Sequence, residues 1–74
     1  MNVVRKSFTK IDRSRKAEIF ERPDGTFGFE ELGFGRDEDA WFPVGNYSIA
    51  MVDSLDHAVS EAKARIAWLS HEAQ

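Results

Sequence analysis

The sequence contains no cysteine and only two histidines, His57 and His71, among its 74 residues. Disulfide bonds and thiolate metal sites are therefore excluded, and two imidazoles offer little for a structural zinc site. A chain this short buries about 60% of its unfolded surface, and a core of this size supplies roughly 3–5 kcal/mol. Because small domains usually need an added constraint, we expect this chain to associate with itself.

Long apolar runs are also missing. No apolar stretch of signal-peptide length follows the first positive residues, and nothing approaches a membrane span. The apolar content of 42%, with six Phe and two Trp, is nonetheless that of a folded domain. We therefore expect a cytoplasmic protein that has no membrane partner.

Each part of the chain is dominated by charge of one sign. Residues 1–16 hold six bases and one acid, a net charge of +5, whereas residues 17–74 hold four bases and twelve acids, a net charge of −8. This division predicts a partly ordered basic N-terminal arm, 1–16, ahead of one small domain, 17–74. The basic residues of the arm are Arg5, Lys6, Lys10, Arg13, Arg15 and Lys16.

The basic arm can be interpreted in more than one way. Its bases could follow a nucleic-acid backbone, but the acidic domain and a sequence pI of about 5.3 disfavour phosphate binding. We favour an arm that lies against acidic side chains of its own subunit or of a partner subunit. A protein partner and nucleic acid are the second and third alternatives. Val4, Phe8 and Ile11 stand at the spacing of a short amphipathic helix, and residues 8–11 fit an extended edge segment equally well.

Pro23-Asp24-Gly25 is a strong turn signal. Proline presets φ, the aspartate side chain can bond its own backbone, and glycine adopts a positive φ at little cost. Strands over 18–22 and 26–30 should therefore pair as an antiparallel hairpin. Gly28 is expected to let an aromatic ring pack against the backbone.

Two further strand candidates follow the hairpin. Residues 41–44 form the first, and Pro43 places it at a sheet edge or a strand end because proline donates no ladder hydrogen bond. Residues 47–52 form a fourth short strand or continue a bent third one. The sheet therefore has three or four strands.

A C-terminal helix is predicted from about Ser54 to Leu69, with Asp53 or Ser54 as its cap. Glu61 and Arg65 stand at a favourable i, i+4 spacing. The fold class is therefore α+β, an antiparallel sheet packed against one C-terminal helix (βββα). The apolar stripe of the helix consists of Leu55, Ala58, Val59, Ala62, Ile66 and Leu69.

Several aromatic residues remain after this core is built, because one helix covers only one face of a sheet. Trp41 and Phe42 are adjacent, so one of them must face away from the helix. An exposed apolar patch of this kind marks an interface, and we expect a homodimer rather than a monomer whose arm covers the patch. The candidate interface residues are Leu32, Phe34, Trp41, Phe42 and Trp68.

No constellation in the sequence supports catalysis. His57 has a serine three residues away on either side, but a surface histidine is the favoured interpretation. Residues 37–39 begin like a calcium loop, yet the required glycine and closing glutamate are missing. We therefore predict no enzymatic activity, no cofactor and no metal.

Three features follow one another along the chain. They are the run Ile19-Phe20-Glu21-Arg22-Pro23-Asp24-Gly25-Thr26-Phe27-Gly28-Phe29, the pair Tyr47-Ser48 and the predicted helix from Ser54. This order, over roughly residues 17–69, resembles the YegP-like family of small bacterial proteins. The resemblance implies a compact unit of a strand, an Asp-Gly turn, an aromatic strand, a further strand and a helix. This unit occurs in pairs in the family, which implies a homodimer of this chain. It implies no activity. The basic arm, the acidic loop and Trp41-Phe42-Pro43 depart from the family pattern.

The sequence thus predicts a non-enzymatic, dimeric protein-interaction module of a bacterial cytoplasm. The alternative is a nucleic-acid-associated regulator that uses the basic arm.

Overall fold

The strands of this protein form one antiparallel sheet, and its helices follow the sheet in the chain. The structure, a computed structural model, describes residues 1–45 and 50–72. Within these residues the sheet has four strands in the order β1-β2-β3-β4. The elements are β1 (Val3–Thr9), β2 (Arg15–Glu21), β3 (Phe27–Gly35), β4 (Ala40–Pro43), α1 (Leu55–Arg65) and α2 (Ala67–Glu72). The predicted α+β class and antiparallel sheet are confirmed.

The predicted hairpin is β2 and β3, which pair in a register that places Glu18 opposite Glu30. At the turn, the Arg22 N–H donates to the Thr26 carbonyl over 2.8 Å, and Gly25 has a φ of +88°. The Asp24 side chain accepts from the Thr26 N–H over 3.0 Å. The turn therefore forms for the reasons that its sequence predicts.

The first strand lies inside the segment that the charge pattern assigns to a basic arm. β1 pairs with β2 from Val3 opposite Glu21 to Thr9 opposite Lys16, with a shift in register between Val4 and Lys6. In the structure, this part of the segment is thus an extended strand at the edge of the sheet. Pairing with β1 satisfies the backbone groups along the outer edge of β2, which a free arm would leave to water.

β4 forms the opposite edge of the sheet, and Pro43 stands at its end opposite Leu32, as predicted for a residue without an N–H. Of the fourth strand candidate, residues 47–49 lie outside the described residues. Val52 forms an isolated bridge with Phe27, through N–H to carbonyl distances of 2.8 and 3.0 Å.

The C-terminal helix begins as predicted but is divided in two. The Ser54 hydroxyl caps α1 by accepting from the His57 N–H over 3.1 Å. Ile66 then adopts an extended backbone, with φ −98° and ψ 104°, and α2 begins at the next residue. The division turns Trp68 toward the core, whereas one continuous helix would carry this ring on the side away from the apolar stripe.

The core lies between the helices and one face of the sheet. Its buried residues come from β2, β3, α1, the α1–α2 junction and α2, and each is at most 1% exposed. The predicted helical stripe is confirmed, with Leu55 and Val59 partly buried at its margin. In the described part of the chain, neither helix has the length and apolar character that a membrane span requires. The buried set is Ala17, Ile19, Phe29, Ala58, Ala62, Ile66 and Leu69.

Candidate interaction surface

Both helices lie on one face of the sheet, and no helix of the described residues lies on the other. Ala17, Ile19 and Phe29 face the helices, so the residues that alternate with them along β2 and β3 face away. We call this second surface the open face. The register places its side chains in four rows that run across the strands and follow one another from one end of the sheet to the other. In order, they are an aromatic row of Phe34 and Trp41, a basic row of Lys16 with Leu32, an acidic row of Glu18 and Glu30, and an apolar row of Val4 and Phe20.

The aromatic row is a packed pair at one end of the open face. The Phe34 and Trp41 rings meet edge to face with centroids 5.3 Å apart. The ammonium of Lys16 lies 4.6 Å from the centroid of the Trp41 ring, which makes a cation–π contact. Leu32 stands between the strands that carry Lys16 and Trp41 and is 8% exposed. The structure therefore brings together three of the five candidate interface residues.

The other two candidates lie on the helix side of the sheet. Phe42 stands opposite Gly33 at the edge strand, on the face of Phe29, and is 44% exposed. Trp68 packs partly buried against the core from α2, and its indole N–H donates to Oε2 of Glu31 over 2.9 Å. Neither residue belongs to the open face.

The contacts of Glu31 are a feature that the sequence analysis did not predict. It is a buried charged residue, 8% exposed, and besides Trp68 its carboxylate accepts from Nη1 of Arg15 over 3.0 Å. Arg15 neutralises the charge and Trp68 satisfies a further lone pair, which is what a buried carboxylate requires. The period-two alternation that places Phe29 and Glu31 on one face is the signal that could have found it.

The acidic row lies at the middle of the open face. Glu18 and Glu30 stand directly opposite each other, and like charges in such a pair repel. Glu18 pairs with Lys16 of its own strand, with 3.4 Å from Oε2 to Nζ. Among the described residues, the Glu30 carboxylate has no hydrogen bond or ion pair. The row therefore keeps a carboxylate that can accept from an incoming cation.

An open cavity of about 230 Å³ lies beside the acidic row. Its aromatic wall is Phe20, whose ring carries the Arg22 guanidinium at 5.0 Å, and Arg22 donates to the Ala50 carbonyl over 2.8 Å. A Cβ at Gly28 would stand 2.9 Å from Cζ of Phe20, so this glycine permits the close packing that the sequence predicts. The cavity is lined by Asn2, Val4, Glu18, Phe20, Arg22 and Glu30.

The basic residues of the N-terminal segment contact the chain's own side chains. Lys6 lies 5.4 Å from the Phe8 ring centroid, and Arg13 has a φ of +63° in the β1–β2 turn. The remaining four make ion pairs. Lys10 pairs inside the arm, and the other three reach acids of residues 17–74, which favours the interpretation that the arm lies against acidic side chains of its own subunit. The pairs are Arg5 with Glu21 at 2.8 Å, Lys10 with Asp12 at 3.7 Å, Arg15 with Glu31 at 3.0 Å, and Lys16 with Glu18 at 3.4 Å.

His57 occupies the first turn of α1 at the surface. Its Nδ1 lies 3.1 Å from Oδ1 of Asp53, and this hydrogen bond lowers the pKa of the Asp53 carboxyl. The hydroxyl of Ser54 is engaged as the helix cap. Among the described residues, these contacts of His57 are those of a helix start.

No family model, curated protein or solved structure matches this chain. The resemblance to the YegP-like family therefore stays a prediction from the residues. The open face must be interpreted from its own chemistry.

Proposed function

We propose that this chain is a non-enzymatic protein-interaction module that forms a homodimer through the open face of its sheet. The observation that carries the proposal is the placement of both helices on one side, while Phe34 and Trp41 remain on the other. An antiparallel sheet can leave a polar face in water, but half-buried aromatic rings on that face favour burial against a partner. A second copy serves as that partner.

The size of the domain also supports self-association. A single core of 74 residues is marginal without a staple, and the sequence has no cysteine for a disulfide. The residues of the open face combine aromatic rings with charges, as the anchors and rims of protein interfaces do. The nucleic-acid alternative is less favoured, because four of the six N-terminal bases already pair with acids of the same chain.

Sedimentation velocity over low to several hundred micromolar concentrations tests the proposal. We expect the average mass to rise from that of the 8.4 kDa chain toward that of a dimer. Phe34→Ala, on the open face, should weaken this association. Phe42→Ala is the matched control, because it removes an exposed phenyl ring from the helix side of the sheet. A monomer at every concentration would overturn the proposal.

A further inference from the structure

The rows of the open face are self-complementary under a two-fold rotation. We infer that two copies stack these faces so that Lys16 of each copy meets the acidic row of the other, with Glu18 directly opposite and Glu30 beside it. The inference rests on the proposed homodimer and adds its geometry. It identifies the partner of the face as a second copy of this chain and the recognition chemistry as ammonium against carboxylate.

The order of the rows fixes where the two-fold axis lies. An axis in the plane between the sheets and perpendicular to the strands reverses strand direction and keeps each strand above its equivalent. Placed midway between the basic and acidic rows, it lays each basic row on the partner's acidic row. The same operation lays Phe34 over Gly28 of the partner subunit, beside which the partner's Phe20 ring packs, whereas Trp41 and Val4 stand on opposite edge strands. Such a contact is isologous and closes with two copies.

The neighbouring positions of the axis are unfavourable. An axis through the acidic row brings the Glu18 and Glu30 carboxylates of both copies together, and like charges at an interface oppose binding. An axis through the basic row brings the two Lys16 side chains together and lays the acidic row on the aromatic row. Of these three positions, the midway axis alone lays a basic row on an acidic row.

In a single chain, Lys16 and Glu30 are already placed on the open face for this contact between copies. Lys16 lies between its own Glu18 and Trp41, so its ammonium is already held on the open face. Glu30, beside it on β3, has no ion pair among residues 1–45 and 50–72. A second Lys16 arriving over the acidic row therefore relieves the repulsion between Glu18 and Glu30.

The dimensions of the face suit a modest interface. Stacked sheets lie about 10 Å apart at about 30°, and four strands of roughly seven residues present a surface about 20 Å by 23 Å. The projected area of about 460 Å² is smaller than the roughly 800 Å² per partner of a stable interface, so the whole face must take part and the association is weak. We expect dissociation in the micromolar range.

Two charge reversals test the pairing. The proposed dimer contains two symmetric contacts between Lys16 and the acidic row, which includes Glu30. Lys16→Glu and Glu30→Lys each bring like charges together in both of these contacts. Each variant alone should dissociate about tenfold more readily or worse than the wild type. An equimolar mixture should regain association, because a heterodimer of the two variants restores opposite charges at both contacts. Sedimentation with one variant fluorescently labelled measures both effects.

Lys63→Glu, on α1, is the control and should leave dissociation unchanged. Far-UV circular dichroism shows whether each variant keeps its fold. Should a reversal fail to fold, Lys16→Gln and Glu30→Gln each remove one charge and should weaken association about threefold. A monomeric wild type would overturn the proposed function. A dimeric wild type whose variants associate unchanged, or whose mixture shows no recovery, would overturn this inference alone.

Discussion

The two faces of the sheet differ in what covers their apolar groups. On the helix side, Ile19 and Phe29 are completely buried beneath α1 and α2. On the open face, Phe20 and Trp41 are covered by cations, the guanidinium of Arg22 and the ammonium of Lys16. A side chain that lies over a ring keeps its charge in water while its stem covers the apolar surface. The first face is covered by helices, whereas these rings of the second are covered by single side chains.

Charge is treated differently on the two faces as well. Glu31 on the helix side is held by both Arg15 and Trp68. Glu30, the next residue, lies on the open face without such partners among the described residues. Strand alternation thus sends one of these neighbouring glutamates into the structure and the other onto the open face.

Phe29→Ala is the change that should separate the faces most strongly. Truncating a fully buried phenylalanine typically lowers the free energy of unfolding by about 3–5 kcal/mol, a large part of the stability of a domain this small. We expect loss of cooperative unfolding in urea, followed by circular dichroism.

Phe34→Ala is its counterpart on the open face. Because Phe34 is only partly buried, we expect a loss of about 1–2 kcal/mol in urea together with weaker association. The contrast fails if both variants unfold to the same extent at a protein concentration where the wild type is monomeric.

Local chemistry made much of this fold predictable. The Asp24 and Gly25 turn and the Ser54 cap depend on neighbours within a few residues. Strand period and helix period also predicted which residues of β3 and α1 share a face. The adjacency of Trp41 and Phe42 correctly required opposite faces, although it did not assign them.

Long-range contacts were the part that the sequence hid. The indole N–H of Trp68 donates to Glu31, which is 37 residues away in the sequence. The break between the helices at Ile66 makes this contact possible, and no proline or glycine marks that position in the sequence. The pairing of β1 was obscured by its charges, since only the register with β2 shows that Arg5 meets Glu21. For the candidate surface, strand alternation correctly grouped Leu32 with Phe34. Trp68 was added to this group only because one unbroken helix would have carried its ring away from the apolar stripe.

Trp68→Phe tests whether the helix side depends on its polar contact. The variant keeps an aromatic ring but removes the N–H that satisfies the buried Glu31 carboxylate. A hydrogen bond to a charged group contributes about 1.5–3 kcal/mol net, so we expect unfolding in urea at a clearly lower midpoint. Trp41→Phe on the open face is the matched control and should lose less, since a phenyl ring can still stack under Lys16. Equal losses would contradict the distinction between the faces.

Acid should act on the turns that join the strands. Hydrogen bonds from Ser14 lower the pKa of Asp12, and hydrogen bonds from the Thr26 N–H and hydroxyl lower the pKa of Asp24, from an ordinary value of 3.8. A lowered pKa in the folded state stabilises the fold above the ordinary value and is lost as pH falls through the lowered one. Urea midpoints measured from about pH 6 to about pH 2 should therefore decline below roughly pH 4. Asp24→Asn keeps an acceptor for Thr26 but does not titrate, so its decline should be slightly shallower, whereas a decline parallel to that of the wild type would contradict a role for this turn.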